Sequence, residues 1–197
     1  MTAGTRDQFI AAAKGLFAQR GFYGASIAAI AKELGLTKQA LLHHFGSKEK
    51  LYGEVLKALS SELLAACDAL VSAHLDPATR LEELVVLQYR SQMEDPDAAR
   101  LIMRELLDNE QRAENAGNWY LKPYLDTLVD SALATESLSD VGRGRALAII
   151  YQFLGAAHYF AVSPPTLTSI FGTEQFAEAE GSYEAELRRL VRARLAA

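Results

Sequence analysis

The chain has almost nothing with which to cross-link itself, hold zinc or anchor in a membrane. Of its 197 residues only Cys67 is a cysteine, so no disulfide forms within the chain, and a reducing cytoplasm is the expected setting. One cysteine and four histidines give no zinc-ligand spacing. His43 and His44 are adjacent, so on a helix they point about 100° apart and do not converge on an ion. Long apolar runs are equally scarce. The longest, 146–162, carries Gln152 and His158 and is short against the roughly 20 residues of a membrane span; no membrane partner is expected. The opening MTAGTRDQF shows no apolar run behind a basic stretch, so no secretory leader is expected. Alternating strand patterns and internal repeats are missing. Gly142-Arg143-Gly144-Arg145 follows no strand and matches neither a phosphate loop nor a dinucleotide turn. No Ser/His/Asp set emerges from the spacing. The expectation is a protein without metal or cofactor that is not an enzyme, with no catalytic residue to nominate.

What is present is a helical chain with an uneven charge. Half of the residues are hydrophobic, which excludes disorder as the global state. The formal charge is −5, which taken alone speaks against nucleic acid. Residues 1–57, however, hold eight Lys/Arg against four Asp/Glu, a net +4, and the remainder holds 12 against 21, a net −9. A basic head on an acidic body is the asymmetry expected when only the head meets phosphates.

Helix punctuation is dense in the head. Thr5-Arg6-Asp7-Gln8 reads as a capping box, Phe9, Ile10, Ala13, Leu16 and Phe17 form one apolar stripe, and Gly21 marks its end. Ser26 caps a second helix closed by Gly35; Thr37 caps a third that ends near Phe45; Gly46 breaks it, and Ser47 caps a long fourth helix reaching about His74. Asp76-Pro77 and Asp95-Pro96 each read as a cap followed by a first-turn proline. Pro123 predicts a kink or break, 137–144 a loop, and Pro164-Pro165 the end of the apolar helix 146–162. The domain boundary is placed inside the fourth helix: residues 1–56 as a helix-turn-helix domain, residues 57–197 as a second, helical domain.

On the third helix, Leu41 and Phe45 fall on one face, whereas Lys38, Gln39, Leu42 and His43 fall on the other. Gln39 has the geometry for bidentate contact with adenine, Lys38 for guanine or phosphate, and His43 for a base edge or phosphate. Lys38 and Lys48 each follow a cap, in a first turn where acids are normally preferred; phosphates approaching both helix starts would explain this.

The stretch from Gly21-Phe22 through Ser26-Ile27-Ala28-Ala29-Ile30-Ala31-Lys32-Glu33-Leu34-Gly35-Leu36-Thr37-Lys38-Gln39-Ala40-Leu41-Leu42-His43-His44-Phe45-Gly46-Ser47-Lys48-Glu49-Lys50-Leu51 resembles the TetR/AcrR family of transcriptional regulators. The resemblance covers about 50 residues, with the rest agreeing only in length and class. It implies an all-α protein, a homodimer on a palindromic operator, and a small-molecule effector. It implies major-groove roles for Lys38, Gln39, Ala40 and His43 and phosphate contacts from Ser26, Thr37, His44 and Lys48. Two positions depart from the family pattern: Leu42 stands where a Tyr is usual, and Ala25 where Thr is common. Both changes would remove a hydroxyl from the phosphate contacts.

The body carries no readable motif. Helix 146–162 is apolar nearly all round and must be covered on two sides, with Gly155, Ala156 and Ala157 allowing close approach. By resemblance the last two long helices pair with their symmetry mates; Tyr151, Leu154, Gly155, His158, Tyr183, Leu187, Leu190 and Val191 are the expected interface. The arginines of the last helix are expected to offset its negative end and to pair with Glu184 and Glu186. Candidate effector contacts are Tyr89, Met93, Met103, Trp119, Tyr120, Tyr124, His158 and Tyr159, amphipathic or adaptable side chains of the middle helices. The expected function is a ligand-responsive repressor. The alternative is a helical small-molecule-binding module with weakened DNA recognition.

Overall fold

The computed structural model describes residues 5–107 and 120–196, and every regular element among them is helical. In chain order they are α1 (Thr5–Gly24), α2 (Ile27–Glu33), α3 (Lys38–Phe45), α4 (Lys48–Val71), α5 (Pro77–Glu94), α6 (Pro96–Leu107), α7 (Lys122–Leu133), a 3-10 turn (Glu136–Leu138), α8 (Arg143–Val162), α9 (Pro164–Phe171) and α10 (Thr173–Leu195). The chain divides into two compact units, Met1–Ser61 with Arg100–Leu121, and Glu62–Ala99 with Lys122–Ala197. The division differs from the expected boundary after residue 56: it falls inside α4 between Ser61 and Glu62, and a later stretch, 100–121, belongs with the head.

The caps form where the sequence places them. Ser26 Oγ accepts from Ala29 N at 3.1 Å, Thr37 Oγ1 from Ala40 N at 3.2 Å, and Ser47 Oγ from Lys50 N at 3.2 Å. Asp76 Oδ1 accepts from Ala78 N and Thr79 N, and Asp95 Oδ1 from Ala98 N. Each bond satisfies an amide that the helix itself leaves without a partner. Gly35 and Gly46 lie at φ 66° and 77°, the left-handed region where a side chain is strained, and so let α2 and α3 stop abruptly. The Thr5 cap lies outside the described side chains.

The glycine and proline breaks fall where the sequence places them, and a helical turn also starts at each. Gly21 (φ 70°, ψ 173°) breaks the helix, and a short further turn, continuous with it in α1, runs to Gly24. Pro123 stands in the first turn of α7, where its missing N–H costs nothing. For the same reason Pro164-Pro165 begins a helix, α9, as well as following one.

The core of the first unit joins Phe9, Ala13 and Phe17 of α1, Ile30 of α2, Leu41 and Phe45 of α3, and Leu51, Tyr52 and Val55 of α4. Phe9 meets Phe45 edge-on at 5.8 Å between ring centroids, and Phe17 meets Tyr52 edge-on at 4.9 Å. The later stretch is tied in by polar bonds. Arg104 donates to the carbonyls of Ala18 at 2.8 Å and Gln19 at 2.9 Å, and Tyr52 donates to the buried Glu105 at 2.6 Å. The guanidinium thus sits on carbonyls exposed by the break at Gly21, where a cation is favoured. A Cβ on Gly53 would meet the Tyr120 hydroxyl at 3.0 Å.

In the second unit α5 packs against α7, α8 and α10. Its core includes Leu81, Leu84 and Val85 of α5, Leu128 of α7, Ile150 and Phe153 of α8, and Leu187 and Val191 of α10. Phe160 stacks on Tyr183 at 3.8 Å, and Tyr183 donates to the Ala156 carbonyl at 2.8 Å. An ionic seam joins α5 to α10. Arg188 donates to Glu82 at 2.8 Å and Glu83 at 2.6 Å, Arg192 to Glu82 at 2.6 and 2.8 Å, and Arg90 to Glu184 twice at 2.7 Å. Among the described residues no single helix is long and apolar enough to cross a membrane; α8 and α9 meet that test only as a pair bent by 65°.

Candidate nucleic-acid interface

Helix α3 is short and two-faced. Leu41 and Phe45 are buried, with Phe45 edge-on to Phe9 of α1 and the helix packed on α2, whereas Lys38, Gln39, His43 and His44 are exposed and Ala40 and Leu42 are half-buried. The outer face is therefore polar except for Leu42, which lies between the core and the surface. The apolar face orients the helix, because turning it about its axis would bring Leu41 and Phe45 into water. Burying two such side chains is worth about 1.5–3 kcal/mol each.

The two helix starts near this face differ. The first turn of α3 holds no acid, and Thr37 satisfies only the Ala40 amide, so the amides of Lys38 and Gln39 project from the helix end. Thr37 and Ser26 accept at their caps, which leaves the proton of each hydroxyl available to a further acceptor. The first turn of α4 is already occupied by an acid. Bonds from the Glu49 backbone amide and the Ser47 hydroxyl hold the Glu49 carboxyl below the usual carboxylate range. An incoming phosphate would share that helix start with a carboxylate, a competition absent at α3.

Lys48 has a structural partner as well. Its ammonium donates to the Ala25 carbonyl at 3.1 Å and lies 4.4 Å from the centroid of the Phe22 ring. It fastens the start of α4 to the turn before α2 and keeps two N–H donors for other acceptors. Sequence reasoning gave this residue only a surface role; the signal was the aromatic Phe22, which attracts a nearby cation. Ala25 itself is buried. His44 stands with its ring centroid 5.1 Å from that of Phe9, at the rim of the head's core.

The candidate residues of the body scatter. Met103 and Tyr120 belong to the first unit, and Tyr89, Met93, Tyr124, His158 and Tyr159 to the second. Trp119 lies outside the described residues. Tyr124 is buried and its hydroxyl donates to Gln88 Oε1. Tyr89 is buried beside Tyr183 and Phe160, whereas Tyr159 is 74% exposed. His158 is buried, its Nδ1 lies 2.8 Å from the Leu154 carbonyl, and burial pushes its pKa down, so its ring is neutral at pH 7. Of the residues named for pairing, Leu154, His158, Leu187 and Val191 are buried within the unit itself. Tyr151, Gly155 and Leu190 are exposed. Leu147, Tyr151, Gly155 and Tyr159, spaced four apart, make one exposed stripe along α8.

Residues 9–55 match the family described as bacterial regulatory proteins, tetR family. The chain is 33% identical over 89 residues to the HTH-type transcriptional repressor KstR2 of Rhodococcus jostii, covering 45% of this chain and 44% of that protein. It is 34% identical over 102 residues to the HTH-type transcriptional regulator RutR of Escherichia coli, covering 52% and 48%. The matches thus span less than half the length of these curated relatives. Two solved structures share the fold over nearly the whole chain. One is a TetR-family transcriptional regulator from Bordetella parapertussis (TM-score 0.69, 23% identity, 96% of this chain and 93% of that one). The other is a transcriptional regulator from Rhodococcus sp. Rha1 (0.73, 18%, 98% and 96%).

Proposed function

We propose, because the head of this chain matches the tetR family of bacterial regulatory proteins over residues 9–55, that it is a transcriptional repressor that binds a palindromic operator as a homodimer and responds to a small-molecule effector. The observation that carries the reading is the outer face of α3, where Lys38, Gln39 and His43 are exposed above a buried Leu41 and Phe45. Such a helix fits the major groove, with Gln39 set against an adenine edge and Lys38 against guanine or phosphate. Ser26, Thr37, His44 and Lys48 surround it as phosphate contacts, and Ala40 and Leu42 are small or apolar surfaces for a thymine methyl group.

The first compact unit, which contains residues 1–56, serves as the reading head, and the second unit serves as the controlling body. The exposed stripe Leu147, Tyr151, Gly155 and Tyr159 on α8, with Leu190 of α10, is the surface on which a second copy packs. Two copies would present their α3 helices to half-sites about one helical turn, roughly 34 Å, apart. An effector that prefers a state of different spacing lowers operator affinity by its difference in affinity for the two states. A DNA partner places this work in the cytoplasm.

Selection of bound duplexes from a random pool by the purified protein tests the proposal. Enrichment of an inverted repeat is expected. Failure to enrich any sequence at moderate salt would refute it and favour the second reading, a small-molecule-binding module. Leu42 and the net charge of −5 are the features that support that alternative.

A further inference from the structure

Helix α5 carries two carboxamides into the interior of the second unit. Gln88 and Gln92 stand one turn apart, so their side chains share a face, and each residue is only 1% exposed. The Tyr124 hydroxyl of α7 donates to Gln88 Oε1, which leaves Gln88 Nε2 without a partner. Gln92 uses neither Nε2 nor Oε1. Among the described residues, the interior of the second unit therefore presents two amide donors and one carbonyl acceptor without a partner, and His158 Nε2 on α8 is a further unpartnered atom. Buried polar groups are nearly always paired, and an unpaired one destabilises the fold. Elsewhere on α5 the buried positions are Leu81, Leu84, Val85, Val86 and Tyr89, with Glu82 paired in the ionic seam, so apolar residues predominate on the inward face of this helix.

The surroundings define what would satisfy these atoms. Burial pushes the Tyr124 hydroxyl well above its ordinary pKa, with the Cys67 thiol beside it, and pushes that thiol up to about 11. Both are neutral at pH 7. An ion set against neutral amides, a phenol and a thiol would lose its hydration with no opposite charge to replace it. A neutral carbonyl compound suffers no such loss: its oxygen accepts from the amide donors, and an N–H or O–H of the same molecule donates to Gln92 Oε1.

We propose that Gln88 and Gln92, with Tyr124 orienting the Gln88 amide, form the polar recognition element of the effector site, and that the effector is an uncharged compound bearing a carbonyl group, such as a carboxamide or lactam. The inference rests on the ligand-responsive reading above and adds to it the residues and the chemical class.

The test uses the full chain and three probes that share one ring: cyclohexanecarboxamide, cyclohexanecarboxylate and cyclohexylammonium. Calorimetry and thermal melting should show binding of the carboxamide, with the two ions at least about tenfold weaker. Gln92→Leu should abolish the carboxamide-induced rise in melting temperature while the unliganded variant melts no lower than wild type, because an unpaired amide has been removed; Gln88→Leu should weaken the same response. Equal binding of all three probes, or of none, overturns the proposal. So does a Gln92→Leu protein that melts lower than wild type and keeps the carboxamide response, since the amides would then serve the fold. Operator selection by unliganded protein is read separately, so loss of DNA recognition and loss of carboxamide recognition remain distinguishable.

Discussion

Replacing Lys48 with methionine removes one ammonium and keeps the apolar stem, which isolates two effects of the charge. Within the head, the ammonium makes one charge-assisted bond to the Ala25 carbonyl at 3.1 Å and one cation–ring contact with Phe22 at 4.4 Å. A bond of this kind is worth about 1.5–3 kcal/mol and an exposed cation–π contact about 0.5–1 kcal/mol. Lys48 is half-buried and the freed carbonyl regains water, so the lower ends apply and Lys48→Met should cost about 2 kcal/mol, measured by denaturant unfolding. The second effect is on DNA. If one phosphate is neutralised by Lys48, the slope of log affinity against log salt should flatten by about 0.9, equally for all sequences. Lys48→Arg should restore that slope. A Lys48→Met protein of unchanged stability would refute the fastening role. One that is destabilised but keeps the wild-type salt slope would refute the phosphate contact and leave Lys48 as a fastener alone.

Gln39→Ala should relax the base preference at one operator position by about 1–3 kcal/mol, read by competition between matched and single-mismatch duplexes; a uniform loss across all sequences would remove Gln39 from base readout. Tyr151→Glu places a charge in the exposed stripe of α8 and should shift sedimentation from dimer toward monomer, and an unchanged sedimentation coefficient would locate the partner surface elsewhere. Hydrogen bonds from Arg192, and then from Arg188, hold the Glu82 carboxyl below the usual carboxylate range against the opposing effect of burial. Its contribution is therefore complete above that range and is lost as pH falls through the lowered value. Glu82→Gln should lower stability at pH 7 and reduce the further loss on acidification, measured by melting from pH 7 to 3; parallel curves for the two proteins would count against the seam.

The head was legible because its instructions are local. Ser26, Thr37 and Ser47 each place an acceptor three residues from the amide they cap, and Gly35 and Gly46 mark stops that other residues would strain. The split of α3 into a buried and an exposed face follows from residue spacing alone. The prolines were harder. Pro123 and Pro164-Pro165 each permit both an ending and a beginning, and the choice depends on what the following residues pack against. In the body, one helix apolar all round has no stripe to indicate which neighbour covers which side. The exposed row from Leu147 to Tyr159 became visible only once Ala146, Ile150, Phe153, Ala157 and Phe160 of α8 were seen to be buried.

By itself, the sequence determined the helical class, the positions of the caps and the residues displayed by α3, since each depends on neighbours within about one helical turn. Tertiary structure alone decided the long-range pairings. Arg188 has Glu184 four residues away, yet its 2.6 Å partner is Glu83, 105 residues distant in the chain. Gln88 and Gln92 resemble an ordinary polar face until α7, α8 and α10 enclose α5. Which helix faces meet depends on the packing of all of them together. That packing turned Lys48 from a surface charge into a fastener and two ordinary glutamines into a buried pair with amide groups to spare.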